Sequence, residues 1–128
     1  LFLEDPLLFS QMLLDGRIKQ FNNAQKEPQQ QVFIDRGIPD VVAYLDYIGD
    51  DFPKHFDIAC RENIYDKIFI LPPWEEIYKS DSERYENFEQ AKKIHKHLTR
   101  TYTTYGYELI EVPKDSVDNR ILFILDKI

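Results

Sequence analysis

The sequence predicts an α/β fold in which a parallel sheet is flanked by helices. Three short apolar runs rich in β-formers, at residues 32–34, 67–71 and 107–112, alternate with stretches of helical periodicity. None of the connections between them carries a hairpin signal such as Asn-Gly, so helical crossovers join the strands. The 128 residues are 43% hydrophobic and 14% aromatic, which suits one domain with its own core.

The first helix is expected over residues 5–22. Asp5 suits the N-cap, and Pro6 suits the first helical position, where a missing N–H costs nothing. Leu7, Phe9, Met12, Leu13, Ile18 and Phe21 give an approximate apolar face, with Gly16 a weak point. Lys26-Glu27-Pro28-Gln29-Gln30-Gln31 is a polar connection. Val32-Phe33-Ile34 then reads as a strand buried on both faces, and it ends abruptly in Asp35-Arg36-Gly37.

Pro39-Asp40 opens a second helix through Val41, Val42, Tyr44, Leu45 and Ile48, closing near Gly49. Asp50-Asp51-Phe52-Pro53 forms a turn, and a third helix covers residues 54–63. Lys67-Ile68-Phe69-Ile70-Leu71 is the second buried strand, stopped by Pro72-Pro73. Ser80 and Glu83 have capping-box spacing at the head of a long helix. That helix places Tyr85, Phe88, Ala91, Leu98, Tyr102 and Tyr105 on one face, with Gly106 just past its end. Residues 107–112 are the third strand, ended by Pro113, and residues 117–125 the last helix.

Several function classes are excluded early. The formal net charge is −7, which opposes broad electrostatic binding to nucleic acid or an anionic membrane. Charges interrupt every apolar run, so no membrane span is legible. The lone Cys60 rules out an internal disulfide and a cysteine-based zinc site, and reads as a small core residue. With no secretory signal pattern, it points to the cytoplasm. The start, Leu1-Phe2-Leu3-Glu4-Asp5-Pro6, has no initiator methionine and reads like the middle of a longer polypeptide.

The glycines exclude more. They stand at Gly16, Gly37, Gly49 and Gly106, and the residues five places beyond them are Phe21, Val42, Lys54 and Glu111. A Walker A loop needs a second glycine at that spacing, followed by Lys and Ser or Thr, so these residues spell none. The dinucleotide fingerprint is equally absent.

Ligands of open parallel sheets sit beyond the carboxyl ends of the strands, which directs attention to three stretches. The first is Asp35-Arg36-Gly37. Asp35 is a candidate to hold hydrated Mg²⁺ or to accept a proton from an attacking hydroxyl, and Arg36 to fork onto a phosphate. The bland alternative is a turn-capping Asp35 and an Arg36 paired with a surface acid. The second is residues 74–89, where Lys79 and Arg84 could line a lid that closes over phosphates, or an ordinary exposed connection. The third is Pro113-Lys114-Asp115. Lys92, Lys96 and Arg100 share a helical face, read as solvated, with Glu89 and Lys93 a supporting pair. His95 lies on the apolar face as a partly buried structural histidine. His97, two residues on, points elsewhere, so the two make no zinc pair.

The order of these stretches resembles a known family. Val32-Phe33-Ile34-Asp35-Arg36-Gly37-Ile38-Pro39-Asp40 is similar to the strand-and-turn signature of the AAA-type ATP/GTP-binding domain family of P-loop ATPases. Those proteins look like small-molecule kinases of the thymidylate and deoxynucleoside kinase group. The likeness continues through Phe69-Ile70-Leu71-Pro72-Pro73-Trp74-Glu75-Glu76-Ile77-Tyr78. It runs on through Asp81-Ser82-Glu83-Arg84-Tyr85-Glu86-Asn87-Phe88-Glu89 and ends at Tyr105-Gly106-Tyr107-Glu108-Leu109-Ile110-Glu111-Val112-Pro113.

The resemblance implies a P-loop NTPase, nucleotide-kinase-like fold, incomplete at its N-terminus, with residues 1–128 the C-terminal part of a single domain. It implies ATP or GTP with Mg²⁺ in the complete domain, and phosphoryl transfer to a small-molecule acceptor or NTP hydrolysis. In that pattern Asp35 matches the acid near Mg²⁺ and the acceptor, Arg36 the arginine on an acceptor phosphate, and Arg84 the lid arginine on the nucleotide; Lys79, in the same polar stretch, is a further candidate for contacting the nucleotide. The family's opening strand, Walker A loop and second strand are not spelled here, so the chain alone is expected to be inactive. The alternative is a non-catalytic nucleotide-binding or regulatory module. Unpaired strand edges invite self-association.

Overall fold

A computed structural model of the chain describes residues 5–75 and 88–128. The chain divides into two compact units, Leu1–Ile64 and Tyr65–Ile128, and each is helix-rich.

The first unit holds three helices: α1 (Pro6–Gln25), α2 (Ile38–Ile48) and α3 (Lys54–Glu62). Asp5 caps α1, its Oδ1 accepting from the Leu8 N–H at 3.0 Å, with Pro6 in the first turn. The inward face of α1 is not the expected one. Ser10, Leu14 and Phe21 are buried, whereas Leu7, Leu8 and Met12 are exposed. The spacing of the buried set, four and then seven residues, makes a narrow seam, and that seam packs on α2.

Helix α2 is the centre of this unit. Ile38, Pro39, Val41, Val42, Ala43 and Leu45 are all buried. Gly49 closes it with φ 76°, a left-handed state that costs a glycine little. Its N–H donates to the Asp46 carbonyl at 3.1 Å and the Asp50 N–H to the Leu45 carbonyl at 3.0 Å, the paired bonds of a Schellman stop. Helix α3 buries Phe56, Ala59 and Cys60 at helical spacing. Phe56 and Cys60 have no exposed surface, and Phe52 and His55 stack against the Phe56 ring at 5.9 and 4.7 Å. Full burial of one such phenylalanine stabilises by about 1.5–3 kcal/mol.

The segment 32–34 departs from expectation: it forms no strand. Val32 and Phe33 are exposed, Phe33 by 64%. A continuous apolar run becomes a buried strand only when flanking strands take its N–H and C=O groups. Among the described residues of this unit there is no strand to do so.

The second unit carries a two-stranded parallel sheet, β1 (Ile68–Ile70) and β2 (Leu109–Glu111), in the register Ile68 with Leu109 and Ile70 with Glu111. The Val112 N–H extends the ladder onto the Ile70 carbonyl at 2.9 Å, and Val112 has no exposed surface. Between the strands runs α4 (Phe88–Thr104), which buries Ala91, Thr101 and Tyr102 and packs on β2. Tyr105 lies beyond its end rather than on its face, and Tyr85 lies outside the described residues. Gly106, at φ 90°, ends α4 with the same paired bonds that end α2: Gly106 to Thr103 and Tyr107 to Tyr102. The Tyr107 hydroxyl then accepts from the Tyr65 N–H at 3.0 Å, tying the start of the unit to β2.

The last helix, α5 (Val117–Lys127), is capped by Ser116, whose Oγ accepts from the Asn119 N–H at 3.2 Å. It has no buried residue, and Val117, Ile121, Leu122 and Leu125 are exposed. Among the described residues, parallel pairing with an intervening helix is the α/β pattern, with two of the three expected strands formed.

Candidate functional site

The Asp35-Arg36 turn stands directly in front of α2, the best-buried helix of its unit. Both side chains are exposed, and neither hydrogen-bonds to another described residue. Among the described residues, Asp35 makes no capping bond to the turn and Arg36 no salt bridge to an acid. Arg36 has φ 66°, the one non-glycine residue with positive φ among the described residues. Backbone in that state is uncommon for a residue with a Cβ and is maintained by its surroundings.

Those surroundings are legible. Gly37, next in the chain, is buried and extended (φ −118°, ψ 178°) as the N-cap of α2. Its N–H donates to Asp40 Oδ1 at 3.1 Å, and its carbonyl accepts from the Asp40 N–H at 3.2 Å. The same carbonyl accepts from Arg17 Nη1 on α1, also at 3.1 Å. Sequence reading missed Arg17. Its signal was a charged residue set between Leu14 and Phe21, three and four places away, in the buried seam of α1.

Beside this turn lies an open groove of about 580 Å³ between the second half of α1 and residues 27–34. Its lining includes Lys19, Gln20, Asn23, Gln29 and Phe33, and Ile34, the residue before Asp35. Lys19, Glu27, several amides and the exposed Phe33 ring give it hydrogen-bonding and stacking groups of both charges, and it is wide open to solvent.

The remaining candidates fall elsewhere. Lys79 and Arg84 lie outside the described residues, as does the capping box of Ser80 and Glu83. After β2, Asp115 accepts from Asn119 Nδ2 at 3.0 Å and from the Ser116 N–H at 2.6 Å. These bonds lower the pKa of its carboxyl and occupy it at the head of α5, beside the Ser116 cap. On α4, Glu89 pairs with Lys92 at 2.9 Å, one place earlier than the expected Lys93. His95 is half-buried, as its place on the apolar face predicts. Burial lowers its pKa, Glu111 partly offsets that, and Lys114 adds to the lowering. No group of three or more His, Cys, Asp or Glu side chains among the described residues could hold a metal by itself. No helix among them is long and apolar enough to cross a membrane.

Compared with family models, the chain matches the one described as AAA domain over residues 1–120. No curated protein matches it, and no solved structure does.

Proposed function

The chain belongs to the AAA domain family, and from that premise we propose that it supplies the acceptor side of a Mg²⁺-dependent phosphoryl-transfer centre using ATP or GTP. Membership carries nucleotide-binding, P-loop-NTPase-like character. The transfer we propose is of the kinase type, to a small molecule, with hydrolysis as its water-accepting variant.

The observation that carries it is the exposed Asp35-Arg36 pair on a turn whose following residue is fixed by Arg17 and Asp40. Arg36 offers a planar fork for two oxygens of one phosphate. An Asp35 carboxylate oxygen is free to take the proton of an acceptor hydroxyl. The open groove whose lining ends at Ile34, the residue before Asp35, offers an acceptor Phe33 to stack on a ring and amides to read its edge.

Asp35 is an exposed carboxylate, and the described residues hold no three-ligand cluster of the kind a protein-caged metal needs. It fits a hydrated Mg²⁺ that takes most of its ligands from water and phosphate. When bound, that ion neutralises charge on the phosphate oxygens. In the same reading Lys79 and Arg84 contact the phosphates of the nucleotide. The four glycines, at positions 16, 37, 49 and 106, spell no phosphate loop, so gripping the nucleotide is not assigned to these residues.

Calorimetric titration of Mg-ATP and Mg-GTP into the full-length protein tests the reading. At least one is expected to bind below millimolar concentration, and failure of both overturns it. Asp35→Asn is expected to lower turnover by about 10²–10⁴-fold with nucleotide affinity retained. Nucleotide binding by the unmodified protein with no turnover on any acceptor, water included, would instead assign a non-catalytic regulatory module.

A further inference from the structure

Arg17 occupies a costly position. It sits in the α1 seam between the buried residues Leu14 and Phe21, where an apolar side chain would pack without desolvating a charge. Its guanidinium also approaches the N-terminal end of α2, whose dipole is positive there and disfavours a cation.

What the position provides is a grip on the turn. Arg17 Nη1 holds the Gly37 carbonyl at 3.1 Å from twenty residues away in sequence. Asp40 Oδ1 holds the Gly37 N–H at 3.1 Å. The peptide that joins Arg36 to Gly37 is thus fixed at its N–H, and the following peptide at its C=O. Arg36, immediately before, keeps φ 66°, a state that relaxes toward ordinary backbone once its neighbours are free to rotate.

We propose that Arg17 is a positioning residue: by holding the Gly37 carbonyl it keeps Arg36 left-handed and so aims the Arg36 fork and the Asp35 carboxylate outward together. This rests on the reading of Asp35 and Arg36 as the acceptor-side pair.

Arg17→Met, which keeps the stem and removes the donors, tests it in the full chain. Two readouts are taken: the intraresidue amide-to-Hα NOE of Arg36, which is strong at positive φ, and binding of inorganic phosphate followed at the Arg36 amide. The unmodified chain is expected to show the strong NOE and saturable phosphate binding. Arg17→Met should weaken the NOE and reduce phosphate affinity about tenfold, the scale of a mis-aimed ligand group. Arg17→Lys, whose ammonium can still donate to the carbonyl, should restore much of both.

An undiminished NOE in Arg17→Met overturns the inference whatever phosphate does. A weakened NOE in a protein that never binds phosphate leaves the positioning role standing and removes the acceptor-side reading instead. If Arg17→Met does not fold, Arg17→Gln, which is too short to reach, is read the same way. Loss of fold in both overturns the inference, since Arg17 would then be serving the core.

Discussion

Replacing Arg36 by glycine should make the protein more stable while removing the phosphate fork. The left-handed state at φ 66° costs a residue with a Cβ about 1–2 kcal/mol. Glycine escapes that cost but gives back about 0.5–1 kcal/mol through the greater freedom of its unfolded chain. Arg36 is exposed and makes no hydrogen bond to a described residue, so deleting its side chain costs little else. The net gain is about 0.5–1 kcal/mol, or about 2–4 °C in Tm for a domain near this size. Arg36→Ala is the control, because it loses the fork and keeps the Cβ. Thermal and urea unfolding should therefore rank glycine above alanine, the reverse of the order in ordinary helix or strand positions. Phosphate binding should fall equally in both. Alanine equal to or above glycine in stability would refute the left-handed assignment, and phosphate binding that survives in either variant would refute the fork.

Two further tests use other regions. The folded-state pKa of His95 lies below its ordinary 6.5, chiefly through burial, so its contribution is complete above that pH and is lost as pH falls toward the folded value. Urea midpoints at pH 7 and pH 5 should differ less in His95→Gln than in the unmodified chain, and identical differences would exonerate His95. The exposed apolar segment around Phe33 should promote self-association. Sedimentation should show apparent mass rising with concentration and Phe33→Lys suppressing the rise, whereas a monomer at every concentration removes the idea.

The elements that were legible from sequence are those whose signals are local. Asp5-Pro6 starts α1, and Gly49 and Gly106 stop α2 and α4. In each case the hydrogen bond that fixes the boundary joins residues within a single turn. What failed depends on distant partners. Val32-Phe33-Ile34 has strand composition, but a strand also needs neighbours, and its own unit offers none among the described residues. The apolar face of α1 was misplaced because one helix with apolar residues on several sides does not reveal which side its partner will cover. At the site, the type and order of Asp35 and Arg36 were readable, but their backbone was not. A glycine after Arg36 suggests the positive φ should fall on Gly37, yet Gly37 is extended and Arg36 takes the strain. That inversion follows from Arg17 and Asp40 pinning Gly37, and the Arg17 contact spans too much sequence for spacing rules to see.

Cys60 has a use of its own. It is the sole thiol in 128 residues and lies wholly within the α3 packing of Leu1–Ile64. A small thiol reagent can reach it only when that packing opens, so the rate of its modification counts the openings of that unit without any engineered label. The chain carries a clock for the unit that holds Asp35 and Arg36, one in which ligand capture at the turn should register as slowed labelling.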